Sequence, residues 1–246
     1  MTKIIAHRGA SSIAPENTLI AFERAIELKS DGIELDVHLT KNGVPIVIHD
    51  FDLERTTNGT GFIVDHTLES IKKLDAGSWF SSNFSDQKVP TLEEVFQLCK
   101  STPDNFIINV ELKAGSKVYP QIEEKVLRLV DQYHLKEKVL ISSFDHYAIE
   151  KIKNLDEDIL TGALFSSAFV SPWRYLSTLK FDAYHTAWHR LDNEIIEGCH
   201  KNGLIVNAYT LDDISFAKVL MSYNIDGIIT NTPQDLLRIK NEDELL

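Results

Sequence analysis

The sequence predicts an α/β chain closed into a single (β/α)8, or TIM, barrel, with a β-hairpin and a long loop inserted after the second strand. Three observations carry that expectation. Short runs rich in Val and Ile alternate eight times with segments of helical period, the 246 residues suit one barrel, and the ends of the expected strands are charged.

The opening run, KIIAHRG, has two isoleucines and stops at the breaker Gly9, so it reads as a buried first strand, followed by the helical pattern of NTLIAFERAIELKS. DGIELDVHLT is the second strand. VPIVIHD follows it after only KNG, and an Asn-Gly turn between alternating apolar runs signals a hairpin, whereas a parallel return needs about a dozen residues. HLTKNGVPIVIHD is therefore expected as a hairpin extension, not a ninth barrel strand, and it folds His49 back beside Glu34 and Asp36. Residues 51–90 are rich in Thr, Gly, Ser and Asn with one short helical stretch, which reads as a long loop or small subdomain of the kind that usually carries function. TLEEVFQLCKS then supplies the helix of the second unit. The remaining pairs are NFIINVELK with YPQIEEKVLRLVDQYH, KVLISSF with HYAIEKIKNL, LTGALF with PWRYLSTLK, FDAYHTAW with DNEIIEGCHKNG, LIVNAYT with LDDISFAKVLMSYN, and DGIITN with TPQDLLRIK. Internal repeats, low-complexity tracts and linkers are absent from the sequence, so residues 1–246 are expected as one domain.

Charge narrows the partners. Lys and Arg number 25 against 37 Asp and Glu, a net −12, which argues against nucleic acid and against an anionic membrane surface. A protein this acidic that handles phosphate must use local cations or a metal. Cys99 and Cys199 lack the paired spacing of a zinc site or a disulfide framework and read as buried thiols in a reducing compartment. MTKIIAHRGA has neither the apolar run nor the cleavage site of a signal peptide, and no window of eighteen apolar residues exists, so a cytoplasmic location without membrane insertion is expected. Homo-oligomerisation is left open.

A barrel's active site lies where its strands end. Strand one ends in His7-Arg8, strand two carries Glu34-Leu35-Asp36, its hairpin returns at His49-Asp50, and the third barrel strand ends in Glu111-Leu112-Lys113. Side chains alternate along a strand, so Glu34 and Asp36 share one face, as do Glu111 and Lys113, while Leu35 and Leu112 turn to the helix layer. Three carboxylates then converge. Their mutual repulsion calls for a neutralising group, either the cations Arg8 and Lys113 as a salt-bridge network or a hard divalent ion, Mg²⁺ or Ca²⁺, which oxygen ligands without cysteine favour. With one such ion the three carboxylates keep a net −1, and Arg8 and Lys113 then make sense as phosphate ligands. Hydrolysis of a phosphodiester needs a proton taken from the attacking oxygen and one given to the leaving alkoxide, and the imidazoles of His7 and His49 suit both tasks. His38, His66, His134, His146 and His200 read as surface histidines, whereas His185 and His189 flank a strand end and are weaker candidates for the mouth.

HRG…PENT, DGIELDVHLTKNGVPIVIHD, ERTTNGTG, VELK, SSF, NAYT and DGIITNTP, spread from residue 5 to residue 233, make the chain resemble the glycerophosphodiester phosphodiesterase family. The resemblance implies a barrel of the PLC-like phosphodiesterase type, one divalent cation, and hydrolysis of small glycerophosphodiesters to sn-glycerol 3-phosphate and an alcohol. It matches the catalytic histidines to His7 and His49, the metal carboxylates to Glu34, Asp36 and Glu111, and the substrate-binding residues to Arg8, Lys113, Glu16 and Asn17, with Thr18 read only as a helix N-cap. Where members of that family often carry Trp in the seventh-strand motif and Asp in the closing IITD, this chain has Tyr209 and Asn231. Tyr209 is expected to offer the glycerol moiety an aromatic wall, its added hydroxyl altering preference, and Asn231 is read as a structural change away from the metal set. Two rival functions differ in what they require. A sphingomyelinase D-like phospholipase is typically secreted, with disulfide-tied loops and Asp where Glu111 stands. A non-catalytic glycerophosphodiester-binding protein would lack one of the two histidines or three carboxylates, and all five are present. Attack by water and attack by the glycerol 2-hydroxyl would use the same acid, base and metal.

Overall fold

The structure is a computed structural model and describes residues 1–243. Its strands are β1 (Lys3–His7), β2 (Gly32–Leu39), β3 (Pro45–Val47), β4 (Ile107–Leu112), β5 (Val139–Ser143), β6 (Leu160–Phe165), β7 (Ala183–Ala187), β8 (Ile205–Tyr209) and β9 (Gly227–Thr230). All but β3 pair in parallel in the order β1-β9-β8-β7-β6-β5-β4-β2, and β1 also pairs with β2, which closes an eight-stranded ring. β3 lies antiparallel on β2 with Val37 opposite Val47 and Leu39 opposite Pro45, the hairpin expected from the Asn-Gly turn.

The helices are α1 (Leu19–Glu27), α2 (Leu68–Ile71), α3 (Leu92–Cys99), α4 (Ile122–Tyr133), α5 (His146–Leu155), α6 (Pro172–Thr178), α7 (Asn193–His200), α8 (Ile214–Ser222) and α9 (Pro233–Asp243). Thr18 caps α1, accepting from the Ala21 amide, and Thr91 with Glu94 makes a reciprocal capping box on α3. Alternation sorts β2 by chemistry: Ile33, Leu35 and Val37 pack outward with Phe22, Val95 and Phe96, while Glu34, Asp36 and His38 are left for the barrel interior. A second outer cluster joins Ile4, Tyr184, Val206 and Ile228 to Leu176, Ile196 and Leu236. Residues 51–90 pack Leu53, Ile63, Ile71 and Val89 against Ile46 and Ile48 of the hairpin segment, which makes this insertion a packed subdomain against the hairpin. Cys99 and Cys199 are buried and unpaired, and burial pushes both thiols up to about 12.

Two backbone features fix the exit of β1. Arg8 sits at φ 56°, a left-handed conformation uncommon for a residue with a side chain. Gly9 follows at φ +82°, and a Cβ there would lie 2.6 Å from the Ala21 carbonyl carbon of α1. Gly9→Ala is therefore expected to lower stability by roughly 1–3 kcal/mol, the usual range for forcing atoms into a packed site. A reduced urea midpoint with unchanged m would report it, and an unshifted midpoint would show that the β1 exit is not constrained.

Candidate active site

The barrel register brings the charged residues together. In the β1–β2 pairing His7 stands opposite Glu34, and in the β2–β4 pairing Asp36 stands opposite Glu111. One carboxylate oxygen each from Glu34, Asp36 and Glu111 lie within 4.8 Å of one another. These side chains are buried at the mouth, with Tyr209 and Phe144 walling the same cavity beside His7, Glu34 and Glu111.

Burial and the neighbouring Asp36 charge push Glu111 up to about 7, and the same causes raise Glu34 well above the carboxylate range. Asp36 goes the other way: burial opposes its charge, yet Lys113 and Arg8 hold it below that range. Lys113 Nζ lies 2.6 Å from Glu111 Oε1 and 3.4 Å from Asp36 Oδ1, and Arg8 Nε lies 3.3 Å from Asp36 Oδ2. The salt-bridge network is thus real but incomplete. Glu34 Oε1 and Asp36 Oδ1, both buried, have no hydrogen-bond partner among the described residues. An all-oxygen carboxylate set with two such oxygens fits a hard divalent cation.

The two histidines differ in what stands behind them. His7 Nδ1 lies 2.7 Å from Asn231 Oδ1, and the Asn231 side-chain amide donates to Asp212 Oδ2 at 2.7 Å. Burial, and then the Arg8 charge, lower the His7 pKa to about 4. His49 Nδ1 lies 2.6 Å from the carboxylate of Asp50, which accepts at 2.6 Å from Arg55 Nε. Burial lowers His49 as well, against the raising pull of Asp36 and Asp50. Asn231, read from the sequence as a structural change at the last strand end that does not touch the metal set, is the immediate partner of His7.

The remaining expected residues serve one another. Arg8 donates its backbone N–H to Glu34 Oε2 at 3.0 Å and its Nη1 to Glu16 Oε1 at 2.7 Å. Arg55 grips Glu16 with two further bonds of 2.8 and 2.7 Å. Asn17, itself at φ 56° and buried, donates from Nδ2 to Asp36 Oδ2 at 2.7 Å. Glu16 and Asn17, expected as substrate contacts, thus direct their polar atoms at Arg8 and Asp36. The Tyr209 hydroxyl, expected to change substrate preference, donates to the Phe165 carbonyl at 2.8 Å, which leaves its ring, edge to face with Phe144, for the cavity.

Three histidines depart from expectation. His38 is fully buried, with Nδ1 on the Tyr119 hydroxyl at 2.6 Å and Nε2 on the His49 carbonyl at 2.9 Å, because its parity on β2 is that of Glu34 and Asp36. His146 is half-buried between the Tyr175 hydroxyl and the Leu164 carbonyl. His185 lies buried inside the barrel and not at its mouth, accepting from Asn207, at a level where a Cβ on Gly162 would come within 2.7 Å of its ring. His134, His189 and His200 are exposed and His66 half-exposed. Sequence reasoning did not single out Arg55, Asn231 and Asp212 as site residues. Arg55 stands inside ERTTNGTG, one of the motifs that carry the family resemblance, whereas Asp212 lies in none of them.

The sequence matches the glycerophosphoryl diester phosphodiesterase family over residues 7–235. The chain belongs to that family. A glycerophosphodiester phosphodiesterase of Caldanaerobacter subterraneus subsp. tengcongensis is 43% identical over 238 residues, 97% of each chain, and one of Bacillus altitudinis is 37% identical over 244 residues, 98% of this chain and 99% of that one. Among solved structures, an Oleispira antarctica phosphodiesterase in complex with the product sn-glycerol-3-phosphate superposes with a TM-score of 0.91 at 29% identity, covering 98% of this chain and 97% of its own. An Agrobacterium tumefaciens glycerophosphodiester phosphodiesterase gives 0.85 at 29%, covering 96% and 99%. No helix among the described residues is long and apolar enough to cross a membrane.

A raised carboxyl pKa has a signed consequence for this family member. Glu111 binds its proton more tightly folded than unfolded, so its contribution to stability is complete below about 4.5 and is lost as pH rises to about 7. His7, His38 and His185, all lowered by burial, act in the opposite sense below about 6.5. A comparison of chelator-treated wild type with Glu111→Gln isolates the carboxyl. The stability of the variant relative to wild type is expected to grow between pH 5 and pH 8 in thermal melts, and a pH-independent difference would contradict the raised pKa.

Proposed function

We propose that this chain, an enzyme of the glycerophosphoryl diester phosphodiesterase family, hydrolyses small glycerophosphodiesters such as glycerophosphocholine and glycerophosphoethanolamine to sn-glycerol 3-phosphate and an alcohol. The observation that carries this reading is the convergence of Glu34, Asp36 and Glu111 within 4.8 Å beside two histidines and two cations. Those three carboxylates would hold one divalent cation, Mg²⁺ or Ca²⁺. Bound there, the ion supplies Lewis-acid stabilisation of charge on the phosphate oxygens. The product complex of the Oleispira antarctica relative supports the glycerol phosphate half of the substrate. A small substrate met in the cytoplasm accords with the two unpaired thiols.

Arg8 and Lys113 grip the phosphate, Glu16 aligns the Arg8 guanidinium, and Asn17 holds the Asp36 carboxylate in place. The neutral imidazole of His7 accepts the proton of the attacking oxygen as the new phosphorus–oxygen bond forms. His49 gives a proton to the alcohol oxygen as its bond to phosphorus breaks. Partner chemistry supports this order: His7 is backed by an uncharged amide and stays neutral, whereas the Asp50 carboxylate behind His49 favours its charged, proton-donating form. Tyr209 and Phe144 face the glycerol moiety, and the alcohol departs past His49 toward residues 51–90, where the exposed Phe51 stands, so the head group is tolerated more broadly than the glycerol.

Metal dependence is the first test. Chelation is expected to abolish hydrolysis of glycerophosphocholine, a divalent ion to restore it and raise the thermal midpoint, and Ala at any of the three carboxylates to reduce metal affinity and turnover together. Full turnover in chelator would reduce the carboxylates to a structural cluster.

A leaving-group comparison tests the histidines. An acid matters when the departing oxygen is basic, so His49→Ala is expected to lose ~10²-fold or more on a choline diester and far less on a nitrophenyl diester. His7→Ala is expected to be impaired on both. The reverse pattern would exchange the two roles.

A further inference from the structure

Asn231 stands just beyond the end of β9, between His7 and Asp212. Its Oδ1 faces His7 Nδ1 at 2.7 Å and also accepts from Ser11 Oγ at 3.1 Å. Its Nδ2 faces Asp212 Oδ2 at 2.7 Å, and its backbone N–H reaches Asp212 Oδ1 at 2.8 Å. Thr230 Oγ1 donates to that same Asp212 oxygen at 2.8 Å, which anchors the carboxylate. An ionised carboxylate only accepts, so the amide of Asn231 must turn its NH₂ to Asp212 and its oxygen to His7. An amide oxygen only accepts as well. His7 must then carry its proton on Nδ1, and the lone pair is left on Nε2, the nitrogen that lies 3.9 Å from Glu34 Oε2 on the side of the carboxylate cluster.

We propose that Asp212 and Asn231 form a positioning relay that fixes His7 as the Nδ1–H tautomer and so presents Nε2 as its basic nitrogen. The relay rests on the reading of His7 as the base, and it explains the amide at position 231. A carboxylate there would face the Asp212 carboxylate with no proton between them. An apolar residue would leave His7 free to exchange tautomers, with its basic nitrogen turned away from the attacking oxygen for part of the time.

The test uses the ¹⁵N-labelled full chain with Mg²⁺ present and absent. Long-range proton–nitrogen correlations of the imidazoles report which nitrogen is protonated, and the His7 ring is identified by its loss in His7→Gln. Wild type is expected to show Nδ1–H with a bare Nε2. In Asn231→Ala and in Asp212→Ala the two tautomers are expected to mix, and kcat on glycerophosphocholine to fall about 10- to 100-fold, the usual worth of a partner that orients a histidine, with KM little moved. The swap Asn231→Asp with Asp212→Asn restores an acceptor at His7 and a donor behind it, and is expected to recover the tautomer. That rescue distinguishes orientation from a general loss of structure, and the swap still decides the matter if an alanine variant does not fold. An unchanged His7 spectrum in Asn231→Ala or Asp212→Ala, or a swap that folds without recovering the tautomer, would overturn the relay. A mixed tautomer with undiminished turnover would uphold the lock and remove His7 as the base, so the failure of one reading is distinguishable from that of the other.

Discussion

Three carboxylates whose oxygens lie within 4.8 Å of one another repel, and the barrel mouth that buries them removes the water that would screen them. Much of the local structure answers that repulsion. The β1 chain turns through a left-handed Arg8, which aims one backbone N–H at Glu34 and a guanidinium at Asp36. Lys113 follows β4 directly and lies between Glu111 and Asp36. Asn17, also left-handed, gives Asp36 a side-chain amide. These groups hold Asp36 ionised, while Glu34 and Glu111 are pushed toward their neutral forms. When all three carboxylates are ionised they outnumber the two cations by one charge, and two of their buried oxygens have no hydrogen-bond partner among the described residues, which is where a cation would fit.

The same field distinguishes the histidines. Both rings are lowered by burial and by the nearby cations, so neither is charged by default. What separates them is the group on Nδ1. A neutral amide orients a ring and favours its cation only weakly, whereas an ionised carboxylate orients it and favours the cation more strongly. His7 has the first and His49 the second. Alternation along the strands could place both imidazoles at the mouth, yet it carried no information about these partners, which come from β9's exit and from the residue after His49.

How much was legible follows from that distinction. The barrel, its hairpin and the convergence of Glu34, Asp36 and Glu111 follow from periodicity, which is written locally in the chain, and from the gathering of a barrel's strand ends at one mouth; the β2–β4 register then places Asp36 opposite Glu111. His38 was legible on the same ground, since its parity is that of Glu34 and Asp36, and its type alone led to a surface assignment. Asn231 could not be read so. It follows the last strand, and only closure of the ring by β9 on β1 brings it to His7, a contact across 224 residues of sequence. Glu16 and Asn17 were found through resemblance, but their geometry faces other protein groups, and no local pattern says whether a polar atom will meet substrate or a neighbour.

The insertion after β2 answers a geometric requirement. The second imidazole must approach from a different direction than the first if proton removal and proton donation are to occur on opposite sides of one phosphate. The hairpin turns the chain back along β2, and His38 fixes its return by holding the His49 carbonyl at 2.9 Å. Residues 51–90 then send Arg55 back across the mouth, where one guanidinium holds both the Asp50 behind His49 and the Glu16 behind Arg8. The proposed acid and the proposed phosphate ligand are thereby set by a single side chain, so a displacement of the loop would misplace both together. The small core of Leu53, Ile63, Ile71 and Val89 packs that loop, and the roles proposed for His49 and Arg8 would give this packing a catalytic reason.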